Sequence, residues 1–154
     1  MEIADLLTPA DVVANLRATN KRQELQELAK RAAVSTGRNE RAIFEVLLER
    51  ERLGTTGIGG GTAIPHGRLP DLPRLYGLFA RLEKPIDFEA IDNRPVDLIF
   101  LLLTASGAGA DHLKALARVA RLLRDPEVAS KLRESRDADA IYAVLAMPAA
   151  SSAA

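Results

Sequence analysis

The sequence predicts an α/β domain in which helices are layered on a mixed β-sheet, and three observations lead there. The segment "VDLIFLLLT", Val96 to Thr104, is apolar on both faces, which suits a central strand covered by helices on each side. Stripes of helical period stand before and after it. No internal repeat and no long linker divides the 154 residues, so residues 1–147 are expected to form one domain and 148–154 a frayed C-terminal tail.

In chain order, "DVVANLRA" (Asp11 to Ala18) reads as a strand. Asn20 then caps a helix, with Gln23 three residues on as a variant capping box. Its stripe is Leu25, Leu28, Ala29, Ala32 and Ala33, and "STGRN" ends it. A second helix opens at Asn39, runs to about Leu53, carries Ile43, Val46 and Leu47 on one face and stops at Gly54. One further turn of that stripe lands on Arg50, so its guanidinium is expected on the inward side near the helix end. "TAIP" predicts a short strand ending at His66, and Arg74 to Leu82 a half-buried one. Lys84 to Pro95 reads as loop and turn, its acids Asp87, Glu89 and Asp92 forming a solvated face. Three helices close the chain. The first has Asp111 as N-cap and a stripe of Leu113, Leu116, Ala117, Ala120 and Leu123. The second opens at Asp125-Pro126, and the third spans roughly Asp137 to Ala146.

Composition removes several function classes. Lysine plus arginine and aspartate plus glutamate number 21 each, which gives no bulk charge for nucleic acid or an anionic membrane. Without cysteine there is no disulfide, no iron–sulfur cluster and no thiol nucleophile. The longest strongly apolar run, Leu98 to Leu103, is far too short to cross a bilayer. The N-terminus shows no basic stretch followed by an apolar one, so a cytoplasmic protein is expected. His66 and His112, far apart in sequence and with no cysteine to join them, make a poor zinc set, so no metal or other cofactor is expected.

The chemistry concentrates in "GTTGIGGGTAIPHGRLP", Gly54 to Pro70. Six of the ten glycines fall between Gly54 and Gly67, around one of only two histidines. The spacing fits neither a dinucleotide fingerprint nor a Walker loop, since no lysine lies between Lys30 and Lys84, and no Gly-x-Ser-x-Gly elbow occurs. What remains is a glycine loop delivering a histidine, with Pro65 stiffening the approach. Free amides at Gly57, Gly59, Gly60, Gly61 and Gly67 are expected to form an anion-binding concavity beside His66. By spacing alone the loop reads more readily as a mobile segment with a solvated histidine. Ile58, Ile64 and Leu69 either flank a docking surface or belong to the core.

"RERLGTTGIGGGTAIPHG" (Arg50 to Gly67) closely resembles the active-site segment of enzyme IIA proteins of the fructose/mannitol/nitrogen class, from the bacterial phosphoenolpyruvate-dependent phosphotransferase system (PTS). "PIDFEAIDNRPVDLIFLLL" and "DHLKALARVARLL" resemble that family's later segments in the same order, so the likeness covers the chain up to about Met147. The resemblance implies a three-layer α/β/α fold around a mixed sheet. It implies His66 as phosphoryl acceptor at Nε2, the tele nitrogen, with Arg50 supporting the phosphate and His112 assisting. Asp111 would place His112 in a helix first turn, where the dipole depresses its pKa. The loop before it, "TASGAGAD", lacks the proline often found there in the family.

The standalone length and the "TGIGGGTAIPHG" and "AIDNRPVDL" segments look most like the nitrogen-regulatory branch. That likeness implies an HPr-like carrier (NPr) as phosphoryl donor and regulation of target proteins by phosphorylation state. Two alternatives stay open at this point. One is a sugar-specific enzyme IIA passing its phosphoryl group to a IIB permease component. The other is a non-phosphorylated interaction module of the same fold.

Overall fold

The doubly apolar segment becomes strand β6 (Val96–Ala105), the middle of a mixed sheet in the computed structural model, which describes residues 1–148. The expected tail, apart from Pro148, lies outside the described residues. On one side β6 pairs antiparallel with β5 (Tyr76–Ile86), which pairs parallel with β1 (Val12–Leu16). On the other side it pairs parallel with β3 (Thr62–Ala63) and, further along, with β4 (His66–Leu69). Strand β2 (Gly57–Gly59) forms a hairpin with β3. Strands β3 and β4 follow one line along β6. The break falls at Ile64-Pro65, where proline has no N–H to donate and offers its carbonyl to Leu102 N instead (3.0 Å).

Helices α1 (Lys21–Thr36) and α2 (Glu40–Arg52) cover one face. Helices α3 (Gly109–Arg124), α4 (Pro126–Glu134) and α5 (Ala138–Leu145) cover the other. The alternation of β6 supplies both cores. Ile99, Leu101 and Leu103 pack with Leu25, Leu28, Ile43 and Leu47, while Leu98, Phe100 and Leu102 pack with Val119, Leu132, Ile141 and Leu145. Each of these fully buried large side chains contributes about 1.5–3 kcal/mol of transfer free energy. The result is the expected three-layer α/β/α arrangement.

Some boundaries moved, each for a local reason. Strand β5 continues to Ile86, past the expected end at Leu82, because Ile86 is buried and pairs with Val96 at the start of β6. His66 begins a strand instead of ending one. Helix α3 starts at Gly109 after an uncapped Ala108, so Asp111 lies inside its first turn and is not the N-cap. Its buried face is His112, Ala115, Val119, Leu122 and Leu123, with Leu113 68% exposed. The forecast stripe was displaced because a buried histidine occupies a core position.

Glu24 of α1 is fully buried, and neither carboxyl oxygen has a hydrogen-bond partner among the described residues. Burial, then the nearby Glu51, push its pKa well above the ordinary carboxylate value, with Lys21 opposing. Folding therefore holds a proton that the unfolded chain releases above its ordinary pKa, so this residue's contribution to stability falls as pH rises from there toward the folded pKa. Glu24→Met is expected to stabilise the protein by about 1–3 kcal/mol at pH 8. It should also remove that pH slope in urea melts collected between pH 5 and 8.

Candidate functional site

Strand β4 delivers His66 to the surface in register with Leu102. Its Nδ1 lies 2.8 Å from the Ile64 carbonyl oxygen, an acceptor, so Nδ1 carries the proton and Nε2 the lone pair. Arg50, near the end of α2, donates from Nε to His66 Nε2 at 3.2 Å and from Nη1 to the Gly54 carbonyl at 2.8 Å. Among the described residues Arg50 Nη2 has no partner. Burial lowers the His66 pKa below 6.5, and the Arg50 charge adds to that, against an opposing effect of the Ile64 hydrogen bond. The ring is a neutral imidazole at pH 7 with its nucleophilic nitrogen aimed at a cation.

His112 comes from the opposite layer. Helix α3 turns it inward against Thr104, whose Oγ1 lies 2.9 Å from its Nδ1, and its ring centroid is 5.4 Å from that of His66. Its pKa is also lowered, first by burial and then by His66 and Arg68. The direction matches the expectation from the helix start, with burial as the leading cause, and the helix begins earlier than expected, at Gly109. Nothing fixes His112 Nε2 among the described residues.

The two histidines and Arg50 line an open cleft of about 760 Å³ whose apolar wall is Ala42, Val46 and Leu53, with Glu45 and Glu49 also in its lining. Gly67 belongs to the cleft, and it lacks a side chain for a direct reason. A Cβ there would stand 2.2 Å from Val46 Cγ1. Arg68, also in the wall, has no hydrogen-bond or ion-pair partner among the described residues. It went unnoticed in the sequence, although a cation two positions after the histidine on a strand is a readable signal.

Gly57, Gly59, Gly60 and Gly61 lie elsewhere. Their hairpin joins β6 near Leu98, ~13 Å down the strand from Leu102 at ~3.3 Å per residue. Gly59, Gly60 and Gly61 take φ of 99°, 67° and 79°, which only glycine adopts in succession, so they serve a tight turn. The Gly60 amide already donates to Asp92 (2.9 Å), and the Gly60 carbonyl accepts from Arg133 (2.8 Å). The cleft is not lined by these four amides. Ile64 and Leu69 are core residues, and Ile58 packs against the core; none of the three lines the cleft.

The cleft thus joins two histidines in contact, a guanidinium bonded to Nε2 of one of them, an apolar wall and, at its edge, the carboxylates of Glu45 and Glu49. The family model for the phosphoenolpyruvate-dependent sugar phosphotransferase system, EIIA 2, matches residues 5–147. The chain belongs to this family. The EIIA domain is 63% identical over 153 residues to a nitrogen regulatory protein of Bradyrhizobium diazoefficiens, covering 99% of this chain and 100% of that one. It superposes on the crystal structure of the nitrogen regulatory protein IIA-Ntr from Neisseria meningitidis with a TM-score of 0.88 at 31% identity, over 93% and 98% of the two chains. The IIA mannitol protein of Escherichia coli shares the fold, with a TM-score of 0.76 at 19% identity over 90% and 98%. No helix among the described residues of this EIIA domain is long and apolar enough to cross a membrane.

Proposed function

We propose that this EIIA domain is a regulatory phosphocarrier of the nitrogen branch. His66 Nε2 takes a phosphoryl group from the phosphohistidine of an HPr-like carrier (NPr), in the cytoplasm, and the phosphorylation state governs binding to target proteins. The observation that carries this reading is the paired arrangement of His66: Nδ1–H donating to a carbonyl, Nε2 unprotonated and facing Arg50. Arg50 Nε–H gives up the Nε2 lone pair as the donor docks, and that lone pair forms the new N–P bond while the carrier's ring nitrogen leaves with the electrons of the old one. The proton stays on Nδ1, hydrogen-bonded to the Ile64 carbonyl, so no base is needed. The free Nη2 of Arg50 and the unpartnered Arg68 meet the phosphoryl oxygens, and the neutral His112 supports the acceptor ring. The full-length likeness to a nitrogen regulatory protein favours the regulatory branch over sugar transport.

Incubation with phosphoenolpyruvate, enzyme I and the HPr-like carrier is expected to add one acid-labile phosphoryl group per chain, read by intact mass. An unlabelled wild-type protein beside a competent carrier would leave a non-phosphorylated interaction module. Loss of import of a single sugar after deletion would place the chain in transport.

A further inference from the structure

The cleft accounts for Arg50 but not for the residue after it. Glu51 continues the inward series Ile43, Leu47, Glu51 of α2 and is buried. Its carboxylate accepts the Thr56 amide at 3.0 and 3.2 Å and the Thr56 hydroxyl, and it pairs with Lys21 Nζ at 2.8 Å. Lys21 itself lies over the Phe88 ring, 4.7 Å from its centroid. The carboxylate is thus fixed from three directions, by α1, by the 55–56 segment and by its own helix.

What it fixes matters for the site. Residues 53–56 form the turn between α2 and β2, and that turn supplies the Gly54 carbonyl to which Arg50 Nη1 donates. One end of the turn is tied to Glu51 through Thr56, and the other holds the guanidinium. We propose that Glu51 is a positioning residue: braced by Lys21, it sets the 53–56 turn so that the Gly54 carbonyl holds the Arg50 guanidinium beside His66. The inference rests on the phosphocarrier reading for its kinetic consequence but not for its geometry. Lys21, one turn before Glu24 on α1, pairs with Glu51 at 2.8 Å and makes no ion pair with Glu24 among the described residues.

The effect of Glu51 should pass through Arg50, and a double-mutant cycle isolates that route. Glu51→Gln is expected to slow phosphoryl acceptance about tenfold in maximal rate, with the KM for the phosphorylated carrier unchanged. In the Arg50→Ala background the same change should alter the rate less than about twofold. Thr56→Val, which leaves the Lys21 pair intact, should reproduce the effect if Glu51→Gln folds poorly. Glu24→Gln should leave the rate at the wild-type level. A readout without phosphorylation is hydrogen exchange at Arg50 Nε–H by NMR, expected to speed up about tenfold in Glu51→Gln and Thr56→Val. An undiminished Glu51→Gln effect without Arg50, or unchanged Nε exchange in both variants, overturns the proposal. If the wild-type protein takes no phosphoryl group, the phosphocarrier reading fails, and the exchange measurement still decides the brace.

Discussion

His66→Ala is expected to take up no phosphoryl group under conditions where the wild-type protein is labelled to one per chain, measured by intact mass. The loss should be complete, because the other groups lining the cleft are engaged or lack a nucleophilic nitrogen: Glu45 pairs with Arg41 and Glu49 with Arg52. His112 is buried and has Nδ1 engaged with Thr104. The guanidinium of Arg50 has no lone pair to offer. His112→Ala is expected to slow labelling without abolishing it, which separates the acceptor from its neighbour. Far-ultraviolet circular dichroism should show His66→Ala folded, since the imidazole is only half-buried and its removal opens no core cavity. The rate also has a pH signature. Burial and Arg50 hold the His66 pKa below 6.5, so the neutral nucleophile persists there. The midpoint of the fall in labelling as the ring protonates should therefore lie below pH 6.5. Labelling of His66→Ala, or a rate that halves at 6.5 with a stable carrier, contradicts the assignment.

Much of this was readable before any coordinates. Asn20, Asn39, Asp125 and Asp137 each accept a backbone N–H at the helix start that their sequence position indicated. Caps are local chemistry, set by a side chain two or three residues from its donor, so a linear reading finds them. The central strand was equally plain, since apolar residues on both faces leave few other options. The misses share a different cause. The four glycines of the hairpin stand next to His66 in sequence, but a strand separates them in space, and no local pattern reveals how far β3 and β4 run before the site. On α2, the series Ala42, Val46, Arg50 and the series Ile43, Leu47, Glu51 are adjacent. Only the packed helix shows that the first borders the cleft and the second the core. A buried glutamate or histidine hides an inward face from any count of hydrophobic residues, as His112 did on α3.

Gly67→Ala is expected to damage stability and phosphoryl acceptance together, and Val46→Ala is expected to restore both. The added methyl would lie 2.2 Å from Val46 Cγ1, far inside contact distance, with Val46 Cβ at 3.6 Å and its carbonyl carbon at 3.8 Å behind it. Val46 cannot swing clear cheaply, because a β-branched side chain in a helix has one strongly preferred rotamer. Helix α2 must therefore shift outward, at a cost of about 1–3 kcal/mol typical of overpacking. For a chain of this length that lowers the melting temperature by roughly 2–4 °C per kcal/mol. Arg50 stands one turn beyond Val46 on the same helix face, so the shift also draws the guanidinium away from His66 Nε2. A misplacement on the order of 1 Å can cost about a hundredfold in rate. In Gly67→Ala/Val46→Ala the two Cβ atoms meet at an ordinary 3.6 Å, and α2 can return. The measurement is a thermal melt and a labelling time course on the two single variants and the double. Recovery of the rate in the double variant ties the loss to the position of α2; a double variant as slow as Gly67→Ala alone would assign it to the strand that carries His66.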